Sequence, residues 1–122
     1  MVPDMALRAN MVTIDCADPG VLAPFWTEAL GYRILHDFEG WYVLLGGDSP
    51  DAIQVGLQRV PEPRGGKNRV HLDLRADDRT AEVSRLTDLG AKIVDEQRMP
   101  GFAWSVLEDP EGNVFCVGGA EA

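Results

Sequence analysis

The chain has 122 residues, 45% of them hydrophobic, which suits one ordinary domain with a sizeable core. Its 20 acidic and 11 basic side chains give a net charge of −9, which would repel a phosphate backbone and argues against a nucleic-acid partner. Because no apolar run approaches the roughly 20 residues of a membrane-spanning helix and the first residues lack a secretion signal, we expect a soluble, cytoplasmic protein.

The first half of the chain begins with a predicted strand and a predicted helix. Apolar and polar side chains alternate over residues 11–18, which is typical of a half-buried strand. Asp18 is placed to cap a helix over Pro19–Leu30, and Gly31 follows where the chain leaves that helix. Three strand-like segments come next, at 33–36, 41–45 and 52–58. The first half therefore has the order βαβββ.

The second half repeats this order. It contains a predicted strand over 71–78, a helix over 78–89 that stops at Gly90, and strand-like segments at 92–95, 103–107 and 114–118. A segment rich in proline and glycine, 61–67, links the two halves. The repeat predicts an α+β fold in which one domain over 1–122 consists of a first module, 9–60, and a second module, 68–119. A lone module would expose an apolar sheet face, so the modules should pack together or with those of a second subunit.

Alternation along the strands separates the two faces of each predicted sheet. Apolar residues such as Val12, Ile14 and Cys16 make one face, which should meet the helices. The opposite, polar faces are then left to meet a ligand. The candidate ligand-facing residues are Met11, Thr13, Asp15, Gln54, Gln58, His71 and Asp73.

His71 is the candidate catalytic residue. A histidine titrates near neutrality, and a nearby carboxylate at Asp15 or Asp73 would raise its pKa, so His71 is suited to acid/base chemistry. The alternative is a buried, hydrogen-bonded histidine with a structural role. Asp73 has a structural alternative of its own, an ion pair with Arg69 or Arg75.

Aromatic side chains form a second candidate surface. Trp41 and Trp104 fall in corresponding strands of the two modules, and Phe102 precedes the second tryptophan. If these rings lie on the polar faces, they would offer flat apolar walls to a planar ligand. If they face the helices, they would belong to the core. Alternation does not decide between the two, because segment 41–45 is apolar throughout. The second histidine of the chain, His36, is predicted to lie in a loop.

Three parts of the sequence carry a family resemblance. They are residues 12–19 with 25–26 and 30–31, residues 57–61 with 67–74, and residues 109–113 with 115–116. In this order they resemble the glyoxalase-like and bleomycin-resistance-type proteins of the vicinal oxygen chelate superfamily, and the resemblance implies a cupped mixed sheet built from two βαβββ modules. The turn at 109–113 also has a structural explanation, because Pro110 and Gly112 favour a chain reversal.

The resemblance also implies where a metal would bind. Metal-using members of the superfamily take one ligand from the first strand and one from the last strand of each module, usually His, Gln or Glu. These positions correspond here to Met11, Gln54, His71 and Cys116, of which only His71 matches well, since a thioether and a thiol suit other metals. We therefore expect no cofactor, and a divalent metal is disfavoured. Cys16 and Cys116 are predicted to be core or cup-lining thiols without chemistry of their own.

The expected function is the binding of a small organic molecule in the cup, without metal, by a homodimer, similar to bleomycin-resistance sequestration. The acidic charge would suit a cationic ligand. The alternative is a lyase, isomerase or hydrolase, with or without an atypical metal, in which His71 is the acid/base and Asp15, Gln54 or Gln58 orients the substrate. An inert interaction module is a third hypothesis. The chain lacks the sequence motifs of nucleotide hydrolases, serine hydrolases and zincins.

Overall fold

The computed structural model describes residues 9–63, 65–66, 68 and 70–120, and these residues form the predicted elements in the predicted order. The elements are β1 Met11–Cys16, α1 Pro19–Leu30, β2 Arg33–Phe38, β3 Tyr42–Gly46, β4 Gln54–Arg59, β5 Leu72–Arg75, α2 Arg79–Asp88, β6 Lys92–Met99, β7 Phe102–Glu108 and β8 Val114–Ala120. The order βαβββ is thus confirmed in both modules. No helix in the described ranges is long and apolar enough to cross a membrane.

Each module forms its own four-stranded mixed sheet. The strand order is β1-β4-β3-β2 in the first module and β5-β8-β7-β6 in the second. In each sheet the first and last strands of the module pair in parallel, and the remaining pairs are antiparallel. The α+β class and the two-module architecture are therefore confirmed. The module boundaries stay a prediction, and part of the predicted linker, residues 64 and 67, lies outside the described residues.

Both helices begin at an aspartate cap. The side chain of Asp18 accepts a hydrogen bond from the backbone N–H of Gly20 at 3.0 Å, and the side chain of Asp78 accepts one from Ala81 at 3.0 Å. These bonds satisfy N–H groups that have no partner inside the helix. α1 then ends at Gly31, whose φ of 68° is the left-handed conformation that the sequence predicts there.

Several strands extend beyond their predicted ends, among them β2 and β6. β2 runs to Phe38, so the prediction of a loop at His36 is wrong: His36 lies in the strand, opposite Leu44. β6 runs to Met99, which pairs with Phe102. Both strands are edge strands whose residues are all exposed, and their apolar residues do not alternate regularly with polar ones, which is the pattern on which strand prediction depends.

The two modules share one hydrophobic core. The ring of Trp26, on α1, lies 5.0 Å from that of Phe115, on β8 of the second module, and 5.1 Å from that of Phe25. All three rings are buried, and Trp26 is only 1% exposed. Edge-on ring packing of this kind adds to the free energy gained by burying the rings.

The turn between β7 and β8 fastens the modules together through Asp109, which is 3% exposed. Its Oδ2 accepts a hydrogen bond from the Trp26 indole N–H at 3.0 Å. Its Oδ1 accepts bonds from the backbone N–H groups of Glu111 and Asn113, both at 2.9 Å. A buried carboxylate is tolerated only with such partners, so this side chain fixes both the turn and the position of α1.

Two further contacts join the modules at the ends of α1. The Glu111 carboxylate accepts hydrogen bonds from the backbone N–H groups of Ala17 at 2.6 Å and Asp18 at 3.0 Å, just before the helix begins. At the other end, the guanidinium of Arg85 donates to the carbonyls of Glu28 at 3.1 Å and Ala29 at 3.0 Å. A negative group at the N-terminus and a positive group at the C-terminus both complement the helix dipole.

Replacing Asp109 by alanine should destabilise the protein by about 3 kcal/mol, because the buried Trp26 indole and two backbone N–H groups lose their acceptor. Urea unfolding followed by tryptophan fluorescence would measure the loss. Asp51→Ala, at an exposed turn position, is the matched control and should change the free energy of unfolding by less than about 0.5 kcal/mol. Equal effects of the two substitutions would contradict the role assigned to Asp109.

Glu111→Gln should cost about 1 kcal/mol, because a neutral amide offers one acceptor oxygen to two N–H groups and loses the charge that favours the helix N-terminus. The same unfolding measurement applies, with the exposed Glu62→Gln as the control. A variant as stable as the wild type would show that the contact contributes nothing to joining the modules.

Candidate functional site

In the first module, the sheet face that points away from the helices collects most of the predicted ligand-facing residues. The β1–β4 register sets Met11 opposite Gln54, Thr13 opposite Gly56 and Asp15 opposite Gln58. Met11, Thr13 and Asp15 are exposed, and Gln54 and Gln58 are half-buried. These five predicted residues are therefore brought together on one open face, whereas His71 and Asp73 lie in the second module.

Tyr42 is the residue of this face that the sequence reasoning missed. Its hydroxyl lies 3.2 Å from Oγ1 of Thr13 and donates a hydrogen bond to Sδ of Met11 at 3.4 Å. To reach them the ring crosses the sheet above Gly56, where a Cβ atom would overlap the hydroxyl. The sequence did contain a signal for this contact, the glycine at position 56 inside the otherwise regular pattern of β4. A glycine within a strand often marks a place where another group approaches the backbone closely.

Aromatic rings cluster at the rim of this face. The Phe38 ring lies 4.0 Å from that of His36, 6.1 Å from that of Trp41 and 6.0 Å from that of Tyr42. Phe38, Trp41, Tyr42 and Gln58 line an open cavity of about 330 Å³. Trp41 is 53% exposed, so it belongs to this surface and not to the core.

The corresponding face of the second module has its own aromatic surface. The Phe102 ring lies on Gly118, where a Cβ atom would come within 2.6 Å of it, and its centroid is 6.0 Å from that of the half-buried Trp104. Trp104 and Arg75 both lie opposite Gly118, so the register places Trp104 on the open face. The Arg75 guanidinium carbon lies 5.9 Å from the centre of the Phe102 ring, within reach of a cation–π contact.

The pairing register changes one predicted correspondence between the modules. Tyr42 lies opposite Gln58, which pairs with Asp15, just as Trp104 lies opposite Gly118, which pairs with Arg75. The counterpart of Trp104 is therefore Tyr42. Trp41 comes one residue before Tyr42 and lies just outside β3. The two tryptophans thus fall in corresponding parts of the two modules but not at equivalent positions.

His71, Asp73 and Cys116 form a cluster of possible ligand atoms on the second face, all within 4.8 Å of one another. Nε2 of His71 lies 3.9 Å from Oδ1 of Asp73, and the His71 side chain is 45% exposed, so it is not the buried histidine of the structural alternative. Burial raises the pKa of the Cys116 thiol, and the charge and hydrogen bond of Asp73 raise it further. The thiol is thus held in its neutral form. Arg69, one partner predicted for Asp73, lies outside the described residues.

The residues at the superfamily's metal positions do not fit its usual ligand set. Cys116 pairs with Asp73, and the equivalent pair in the first module is Gly56 with Thr13; the counterpart of Cys116 is therefore Gly56, and the assignment of Gln54 to this position was wrong by two residues. The four positions then offer a thioether at Met11, no side chain at Gly56, an imidazole at His71 and a thiol. A set of His, Gln and Glu ligands for a divalent ion is not present.

A second cavity, of about 700 Å³, lies between the modules. Its lining includes Cys16 and Trp26 on one side and His71 and Phe115 on the other. Cys16 is 4% exposed, and burial together with nearby carboxylates, Glu111 foremost, raises the pKa of its thiol to about 12. Since the thiolate is the reactive form, Cys16 is an inert core residue, as the sequence predicts.

Comparisons with solved structures identify the fold. A glyoxalase/bleomycin resistance protein/dioxygenase family enzyme from Burkholderia phytofirmans PsJN is 18% identical and superposes with a TM-score of 0.75 over 94% of this chain and 100% of its own. TnmS3, an antibiotic binding protein from Streptomyces sp. CB03234, is 22% identical with a TM-score of 0.69 over 97% and 100% of the two chains. A lactoylglutathione lyase from Agrobacterium tumefaciens is 20% identical with a TM-score of 0.69 over 97% and 96%. At these identities the likeness shows the fold alone.

The sequence itself decides the family. No curated protein gives a significant sequence match to the chain. A family model described as a glyoxalase-like domain, however, matches residues 11–118, from the first residue of β1 into β8. Because this match spans both modules and nearly the whole chain, the protein belongs to the glyoxalase-like domain family of the vicinal oxygen chelate superfamily.

Proposed function

We propose that this protein binds a planar organic molecule on its aromatic sheet faces, without a metal, and thereby sequesters it. The observation that carries the proposal is the pair of rings that lie over glycines, Tyr42 over Gly56 and Phe102 over Gly118. A ring that lies against the backbone presents its other face outward, where a flat ligand can stack. Each ring has a second aromatic side chain about 6 Å away, inclined to it by 58° in the pair Tyr42–Trp41 and by 33° in the pair Phe102–Trp104, which adds an apolar wall beside the first ring.

Charge favours a cationic ligand. The chain carries −9 overall, and the exposed carboxylates Asp15 and Asp73 lie on the two open faces. A positive planar molecule would be attracted by the net charge and by these carboxylates, although Arg75 offsets part of the attraction on the second face, and it would stack on the rings, where cation–π attraction adds to apolar burial. The antibiotic binding described for TnmS3, a protein of the same fold, supports a sequestering role.

A homodimer is part of the proposal. The edge strands expose large apolar side chains, Ile34 and Phe38 on β2 and Ile93, Val94 and Met99 on β6, each at 40% or more. Monomers rarely leave so many large apolar side chains uncovered on edge strands, and a second copy would cover them. A reducing, cytoplasmic location suits a chain with two free cysteines.

The enzymatic alternative has one observation in its favour, the cluster of His71, Asp73 and Cys116. An imidazole, a carboxylate and a thiol would together suit zinc or cobalt better than magnesium, although the metal would have to deprotonate Cys116 against its raised pKa. Without a metal, the half-exposed His71 beside Asp73 would still be able to transfer protons to a bound substrate.

Proflavine, a planar tricyclic cation, should bind and quench the tryptophan fluorescence of the wild-type protein. Trp104→Leu should weaken proflavine binding about 10-fold, because the stacking surface beside Phe102 is lost, whereas Val21→Ala, at an exposed helix position, should leave it unchanged. 1-Anilinonaphthalene-8-sulfonate, an anionic aromatic, should bind more weakly than proflavine. Equal binding of the two dyes would contradict the preference for cations, and no binding of either would contradict the proposal.

Zinc binding separates the proposal from the enzymatic alternative. After treatment with EDTA and exposure to Zn²⁺, the dialysed wild-type protein should retain much less than one zinc per chain by elemental analysis. One zinc per chain that is lost in both His71→Ala and Cys116→Ser, with the fold intact by circular dichroism, would instead favour the metal-assisted enzyme. Asp88→Ala, an exposed carboxylate outside the cluster, is the control.

A further inference from the structure

The polar group at the centre of the first-module face is the Tyr42 hydroxyl, and it fills the position of an absent side chain. In the second module the place opposite Asp73 is taken by Cys116, whereas in the first module the equivalent place opposite Thr13 is Gly56. The hydroxyl oxygen of Tyr42 overlaps the position that a Cβ atom would take if residue 56 had a side chain. Any larger side chain at 56, such as a ligating carboxylate, would therefore collide with Tyr42.

The hydroxyl is held there by the other polar atoms of the face. It shares a hydrogen bond with Thr13 at 3.2 Å and donates to the Met11 sulfur at 3.4 Å. The sulfur atom at the first-strand metal position is thus already engaged with a phenol, which is a neutral hydrogen-bonding group and a poor ligand for a divalent ion.

We infer that the cluster of Tyr42, Thr13 and Met11 has replaced the first-module half of the superfamily's metal site. The first-module face then contributes no metal ligand and offers the bound molecule a hydroxyl in place of a cation. This inference rests on the proposed metal-independent function and assigns the structural cause of that independence to one tyrosine and one glycine.

The inference is tested by rebuilding the missing half-site. The variant Met11→His/Gly56→Glu/Tyr42→Leu restores an imidazole and a carboxylate and removes the obstructing ring. A matched control, Met11→His/Gln58→Glu, adds the same two groups but keeps Tyr42 over Gly56. In calorimetric titrations with Ni²⁺, the rebuilt variant should bind about 100-fold more tightly than either the wild type or the control. Circular dichroism and the elution volume on a sizing column verify that each variant is folded and of unchanged oligomeric state.

Two results would overturn the inference. One is a folded rebuilt variant that binds Ni²⁺ no better than the control. The other is a wild-type protein that binds one Ni²⁺ per chain and loses it in Tyr42→Phe or Met11→Leu, two mild substitutions that keep the inference testable if the rebuilt variant does not fold. Proflavine titration of the wild type is read separately: failure of proflavine to bind contradicts the proposed sequestration, whereas nickel held through Met11 or Tyr42, with proflavine still bound, contradicts this inference and the metal independence on which it rests.

Discussion

The fold depends on a buried carboxylate that belongs to one module and serves the other. Asp109 closes the turn before β8 with its Oδ1 and holds the Trp26 indole of α1 with its Oδ2. Because a carboxylate that is 3% exposed must keep its hydrogen bonds, the helix of the first module is fixed against the last strand of the second. The shared ring packing of Trp26 and Phe115 follows from the same placement.

The contact of Asp109 with Trp26 determines which sheet faces are left for a ligand. The helices and the shared core cover one face of each sheet. Because successive side chains of a strand point to opposite faces, every second residue of each strand points outward. On those outward faces, glycines in β4 and β8 leave room for the tips of the Tyr42 and Phe102 rings to approach the backbone. The same alternation that buries the core thus places an aromatic ring on each outward face, and Trp41, from the turn before β3, adds to the first.

The sequence predicted the parts of the structure that carry strong periodic signals. The internal repeat, the Asp18 cap and the glycine stop after α1 are all present, because each has a signal in the sequence that does not depend on strand pairing. His36 was misplaced because an exposed edge strand has no apolar alternation to reveal it. Which sheet faces carry Trp41 and Trp104 became clear only from the strand pairing. The segment 41–45 is apolar throughout, so its sequence does not show which side chains point outward.

The two modules also differ at one pair of equivalent positions, and that difference bears on function. At the same place in the sheet, the second module has Cys116 beside Asp73 and His71, whereas the first has Gly56 under the hydroxyl of Tyr42. A site that takes ligands from both modules needs donors on both faces, so a change on one face alone is enough to abolish it. Under the proposed function, the second cluster would then serve as a hydrogen-bonding edge for a stacked molecule, and each face would keep a glycine beneath an aromatic ring.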